Sequence, residues 1–167
     1  ILGVFKLAVQ SPWRDTVPPF GSDFPKELAN RHAVMLEQRP ERNPGQFKIE
    51  PNRAGGTWFV DPQLVRGTLI EGSSLAKSVP EGLPRAIYYA FLVSEVHPFS
   101  DGNGRISRIL MNAELSRTGD ARIIIPTLFH EEYVDCQRQL THQNDPAGFI
   151  RVVALMQRWT IAFGYSN

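Results

Sequence analysis

The residues from Pro84 to Val96 include Ala86, Ile87, Ala90, Phe91, Leu92 and Val93, so a helix built from them is apolar on nearly all sides. Such a helix has no face to offer to water and belongs at the centre of a small bundle. The sequence around it supplies the other members. Leu28, Ala29, His32, Ala33, Met35 and Leu36 recur at helical spacing between Pro25 and Gln38, and Pro40 closes that segment. Asp61 followed by Pro62 has the form of an N-cap with proline at the first helical position, and Leu64, Thr68, Leu69, Leu75 and Ala76 extend a helical face to Val79, weakened by Gly67 and Gly72. A further helix is predicted from Gly104, carrying Ile106, Ile109, Leu110, Ala113 and Leu115 up to Gly119, which suits a left-handed stop. Ile123–Ile125 before Pro126 reads as extended. Two more helices are expected, from His130 to His142 and from Pro146 to Phe163, the second entered through Asp145-Pro146 and ended by Gly164.

The helical period is absent between Gly45 and Val60. There Phe47–Ile49 and Thr57–Val60 read as two short strands around a turn holding Pro51, Asn52, Gly55 and Gly56, a β-hairpin. The fold class is therefore all-α, a helical bundle with one short hairpin at about residues 45–60. With 167 residues the chain is long enough for one domain with a real core, and no repeat, low-complexity tract or linker divides it. We expect an N-terminal helical segment, residues 1–39, packed on a core of residues 40–167, with Pro12 to Pro25 as a surface loop. The first residue is Ile1 rather than Met, and Ile1–Val9 has the look of an element whose start lies upstream.

The formal net charge is +1, so the balance of charge calls for neither nucleic acid nor an anionic membrane as partner. Cys136 is the single cysteine, which rules out an intrachain disulfide framework and a multi-cysteine zinc site. No apolar run is long enough to span a bilayer.

Chemistry concentrates in His97-Pro98-Phe99-Ser100-Asp101-Gly102-Asn103-Gly104-Arg105-Ile106-Ser107-Arg108, which joins the apolar helix to the next one. Gly102 and Gly104 permit the backbone conformations of an anion nest, and the helix starting there adds unpaired N–H groups and its positive dipole end. Arg105 and Arg108 can project toward one anion as charge-assisted donors. An arginine in the first turn opposes the helix dipole, which is a reason to look for a bound polyanion. Asp101 is a hard oxygen ligand suited to Mg²⁺ shared with phosphates. His97 changes protonation near neutrality and can take a proton from a hydroxyl. Phe99 reads as the hydrophobic anchor of the loop, and Asn103 as a residue that fixes it through backbone hydrogen bonds. Taken singly, each has an ordinary alternative: a glycine turn, an N-capping aspartate, solvated arginines. Their joint arrangement favours the site. His32, His130 and His142 lack such company and read as packed or surface histidines; Ser73-Ser74 reads as helix surface, and Cys136 as an inert thiol.

At every specified position, His97 to Arg108 resembles the signature of the Fic family, His-x-Phe-x-Asp/Glu-Gly-Asn-Gly-Arg-x-x-Arg. The resemblance reaches outward from about residue 40 to 165, through the hairpin, the Val60-Asp61-Pro62 entry, the Phe91-to-Val96 lead-in and the Ile-Ile-Ile-Pro segment. It implies a Fic-type helical bundle and a protein adenylyltransferase. ATP would be the substrate, with Mg²⁺, and AMP would pass to a Ser, Thr or Tyr hydroxyl of a target protein. In that reading His97 is the general base and Asp101 the metal ligand. Gly102, Asn103 and Gly104 would cradle phosphate, and Arg105 and Arg108 would orient the β- and γ-phosphates. The hairpin resembles the family's flap, which pairs with an extended target segment; Thr57, Trp58 and Phe59 are its candidate contacts, with packing on their own core as the alternative for Trp58 and Phe59. Many family members carry an inhibitory helix with Ser/Thr-x-x-x-Glu-Gly/Asn. Glu71-Gly72 has the ending, but Gly67 stands where Ser or Thr is required. An inhibitory segment, if the protein uses one, is therefore expected upstream of Ile1 or on an antitoxin-like partner chain. Use of another nucleotide donor, phosphorylation of the target, removal of AMP, and a non-catalytic nucleotide-binding module are the rival functions. The place of action is expected to be the cytoplasm, with delivery into a host cell equally compatible.

Overall fold

The computed structural model describes residues 2–10 and 12–164; Ile1, where the chain opens, lies outside them. Its helices are α1 (Leu2–Val9), α2 (Phe24–Met35), α3 (Val65–Leu75), α4 (Leu83–Val96), α5 (Asn103–Thr118), α6 (His130–Gln143) and α7 (Ala147–Ala162), and its strands are β1 (Arg53–Ala54) and β2 (Thr57–Trp58). No helix among the described residues is long and apolar enough to cross a membrane. The chain groups into two compact units, residues 1–118 and 119–167.

In the first unit α4 is the buried centre, as its composition requires, with Ala86, Tyr89, Ala90 and Val93 fully enclosed. α5 returns antiparallel against it. The pairing is read from two buried contacts: Ser107 Oγ donates to Ala90 O (2.9 Å) near one end, and Gly82 N–H donates to Glu114 Oε1 (3.3 Å) near the other. Leu7 of α1 and Phe24, Leu28 and Met35 of α2 share one apolar core with Val93, Phe99, Ile106 and Leu110. α1 lies against the end of α2 because Gly3 leaves room for the Val34 and Met35 carbonyls, and Lys6 reaches Glu37 at 2.7 Å.

Four local expectations are corrected. The hairpin ladder pairs Arg53 with Trp58 and Ala54 with Thr57 around Gly55-Gly56, so Phe47–Ile49 is not its first strand. Those residues are drawn elsewhere, Lys48 N–H to Pro98 O at 2.8 Å and the Phe47 ring to 5.3 Å from that of Phe99. The α-helix after Asp61-Pro62 begins at Val65, because the Asp61 carbonyl accepts the Leu64 N–H (2.9 Å) and closes a tighter three-residue turn first; Asp61 Oδ1 still caps Gln63 N–H. The Pro12–Pro25 stretch is more than a surface loop. Arg31, only 2% exposed, donates to Thr16 O (2.8 Å) and Thr16 Oγ1 (2.9 Å), and Trp13, Val17 and Phe20 pack on the core. Ser73 is fully buried, not on the helix surface, and accepts the Gly21 N–H at 2.9 Å.

The second unit pairs α6 with α7 through Tyr133 and Phe149, whose rings are 5.3 Å apart. Asn144 in the left-handed region (φ 55°) ends α6, and Asp145 Oδ1 caps the Ala147 N–H at 2.9 Å. Ile124 belongs to no helix and joins no ladder among the described residues; its N–H goes to Thr160 Oγ1 (3.0 Å).

Candidate active site

The loop between α4 and α5 is shaped by interlocking polar contacts at its ends and an apolar wedge in its middle. α4 stops at His97, which is left-handed (φ 48°, ψ 57°) and sends its N–H back to Val93 O at 3.0 Å. The Asn103 side chain then ties the loop shut. Its Oδ1 accepts the Phe99 N–H (2.9 Å) and its Nδ2 donates to the Phe99 carbonyl (2.7 Å). Asn103 is 2% exposed, so its side chain serves the loop.

The His97 imidazole is half-buried and fixed on two sides. Its Nδ1 lies 3.1 Å from Ser94 O, and Phe59 stacks on its face with centroids 3.8 Å apart and planes 7° from parallel. A carbonyl oxygen can only accept, so Nδ1 carries the proton and the neutral ring presents its lone pair at Nε2. Burial pushes the imidazole below its ordinary value, the Ser94 bond opposes this, and the Lys48 charge adds to the lowering.

At the other end of the loop, Asp101 Oδ1 accepts the Gly102 N–H (2.6 Å) and Arg105 Nη2 (3.1 Å), while Arg42 Nε stands 3.7 Å from Oδ2. Burial pushes this carboxyl up, but the Gly102 N–H and the two guanidinium groups more than offset it and hold the group below its ordinary value. The Arg108 side chain makes no hydrogen bond or ion pair among the described residues, and Glu71 of α3 is exposed. Gly102 is left-handed (φ 82°), whereas Gly104 is helical and exposed, its missing Cβ leaving a position 3.3 Å from Arg108 Nη1. A Cβ on Gly102 would stand 2.7 Å from Met35 Cε and 3.3 Å from His32 Nε2. Gly102→Ala is therefore expected to cost at least about 1–2 kcal/mol for the left-handed backbone alone, a fall in Tm of roughly 2–8 °C, measurable by thermal unfolding.

The sequence-predicted residues thus stand on one loop and the first turns of α5. Among the flap candidates, Thr57 is 7% exposed, Trp58 is 64% exposed with Arg53 5.4 Å from its ring, and Phe59 lies on His97. His32 is the contributor that sequence reasoning passed over. It is fully buried, stacks on Phe99 (3.7 Å, 2°), accepts the Gly45 N–H at Nδ1 (3.0 Å) and so donates from Nε2 to Asp101 O (2.9 Å). A histidine on an apolar helix face gives no hint of partners so distant in sequence. Arg42 carried no signal either, being one charge among several in a polar stretch. No group of three or more His, Cys, Asp or Glu able to hold a metal occurs among the described residues. Asp101 Oδ2, whose nearest cation is Arg42 Nε at 3.7 Å, is a single hard carboxylate oxygen, a donor that would suit only a cation drawing its remaining ligands from phosphates and water. Cys136 sits half-buried on α6, with its thiol pushed up by burial, so it is not an activated nucleophile.

Residues 24–115 match the Fic/DOC family. The chain is 44% identical over 133 residues to a protein adenylyltransferase Fic of Aedes aegypti, covering 77% of this chain and 26% of that protein, and equally so to one of Culex quinquefasciatus. It thus spans about a quarter of the length of these relatives. Among solved structures, Fic-1 of C. elegans (residues 134–508) superposes with a TM-score of 0.71 at 22% identity, over 97% of this chain and 47% of that one. BepC of Bartonella tribocorum, with bound AMPPNP, gives 0.69 at 16% identity, over 92% and 82%. These two likenesses bear on the fold.

Proposed function

The chain belongs to the Fic/DOC family, and on that premise we propose that it transfers AMP from ATP to a hydroxyl side chain of a protein target. The observation that carries the reading is the His97 ring. With Nδ1 committed to Ser94 O, the lone pair at Nε2 is left to accept a proton. That proton leaves the target's Ser, Thr or Tyr hydroxyl as its oxygen attacks the α-phosphorus of ATP. A new phosphorus–oxygen bond forms, the bond to the β-phosphate oxygen breaks, and pyrophosphate departs with its electron pair. Arg105, Arg108 and the N–H groups around Gly102 and Gly104 receive the negative charge of the phosphates, which is positioning and electrostatic work of the kind phosphorus transfer needs. Asp101 would hold Mg²⁺, which supplies charge neutralisation to the phosphates when bound. Trp58 and the edge of the β1–β2 flap offer an extended target segment an apolar contact and main-chain partners. An inhibitory glutamate from another segment or an antitoxin-like chain would find its partner in Arg108. The reaction suits the cytoplasm of a cell or of a host, where ATP and Mg²⁺ are supplied.

Transfer from α-labelled and γ-labelled ATP in a lysate tests the reading. Label arriving only from the α-position supports AMP transfer; label arriving only from the γ-position replaces it with phosphorylation. The depressed His97 value gives a second expectation. The base works only when neutral, so activity falls as pH drops through its pKa, and the acid limb of kcat/KM, which reports the free enzyme, lies below about 6.5. A limb above that value would assign the titration to another group.

A further inference from the structure

Lys48 is a cation in an unusual place. It is 5% exposed and forms no salt bridge among the described residues, although burying an ammonium is costly and a methionine would fill the same space without that cost. What it does contact is main chain. Its Nζ donates to Val96 O (3.2 Å) at the end of α4, where the helix dipole favours a positive charge, and its backbone N–H donates to Pro98 O (2.8 Å). The same Nζ donates to Asn52 Oδ1 at 2.6 Å. This orients the Asn52 amide so that Nδ2 donates to His97 O (3.2 Å) and Phe99 O (3.0 Å). Two flap-base residues therefore capture the consecutive carbonyls of Val96, His97, Pro98 and Phe99. Asn52 also accepts the Phe59 N–H through its own carbonyl (3.2 Å), and Phe59 is the residue stacked on the His97 ring.

We propose that Lys48 and Asn52 are positioning residues that couple the flap to the catalytic base, fixing the His97 main chain from below and its ring plane through Phe59. The flap then does more than present a target: a flap lifted off the loop releases the imidazole, so the base is aligned only while the flap is seated. Lys48 is also the cation that bears on the imidazole, and its own ammonium is pushed down to about 8 by burial, with Asp61 opposing. The inference rests on His97 acting as the base.

The test uses Lys48→Met, Asn52→Ala and the conservative Lys48→Arg in the full chain. The readouts are the ¹⁵N shifts of the His97 imidazole, which report tautomer and pKa without any turnover, together with kcat, KM and ATP affinity. In Lys48→Met and Asn52→Ala the pKa is expected to rise toward its ordinary value and the Nδ1–H tautomer to lose its dominance. We expect kcat to fall about 10- to 100-fold, as for a base displaced by an ångström, with ATP affinity unchanged. Lys48→Arg restores most of the loss. If Lys48→Met does not fold, Asn52→Ala decides alone, since it removes a half-buried amide and leaves the ammonium on Val96. A folded Asn52→Ala with wild-type imidazole shifts overturns the proposal, as does a kcat that Lys48→Arg leaves as low as Lys48→Met does. Shifted imidazole signals in a protein that transfers no AMP in its wild-type form would overturn the function and leave the coupling standing.

Discussion

His97→Ala is expected to lower kcat for AMP transfer by about 10²- to 10⁴-fold, or about 3–5 kcal/mol of transition-state stabilisation, while ATP affinity stays at its wild-type level. The separation follows from which atoms do what. The contacts that hold His97 in the loop are made by its main chain, through Val93 O and the Asn52 amide, and survive the substitution. The ring's own contacts are Ser94 O and Phe59, neither of which belongs to the Gly102–Arg108 stretch proposed to seat the phosphates. Losing the ring therefore removes the proton acceptor and leaves the phosphate seat. Isothermal titration with ATP beside steady-state transfer rates distinguishes the cases. An ATP affinity that falls as far as kcat would make His97 a scaffold for the nucleotide site.

The motif and the central helix were legible because their information is local. Pro84 to Val96 declares its burial by composition, and His97 to Arg108 declares its family by spacing within a dozen residues. What stayed hidden depends on partners far along the chain. Phe47-Lys48-Ile49 alternates apolar and polar as a strand does, yet the same alternation serves a strap lying on a loop, and only the position of Pro98 O decides between them. Lys48 and Arg31 are charged residues, expected in water, but each is buried because remote carbonyls accept its hydrogen bonds. Ser73 is misjudged in the same way, and His32, read as packed or on the surface, is packed but with partners the sequence does not show; those at Gly21, Gly45 and Asp101 are visible only in three dimensions. Asn103 was legible in part: its role in tying the loop through backbone bonds followed from its place beside two glycines.

The largest loss of stability is expected from Phe99→Ala, about 3–5 kcal/mol against a total of roughly 5–15 kcal/mol for a typical protein, with a fall in Tm of roughly 6–20 °C. Phe99 is fully buried, with His32 flat against one face at 3.7 Å and Phe47 tilted at 5.3 Å, so no water can enter to fill the space without meeting apolar walls. The ring also holds apart two halves of the site. On one side the Phe99 carbonyl takes Asn52 and Asn103; on the other, His32 passes from the Phe99 ring to the Asp101 carbonyl. Truncation therefore loosens His97 and Asp101 together, and activity measured well below the new Tm should fall further than the folded fraction does. Phe99→Leu keeps much of the volume but loses the flat face against His32, so a variant that is nearly stable yet poorly active would locate the effect in that stacking. A Phe99→Ala protein whose stability stays within about 0.5 kcal/mol of wild type, the range of an ordinary surface change, would mean that the polar ties of Asn52 and Asn103 hold the loop without the wedge.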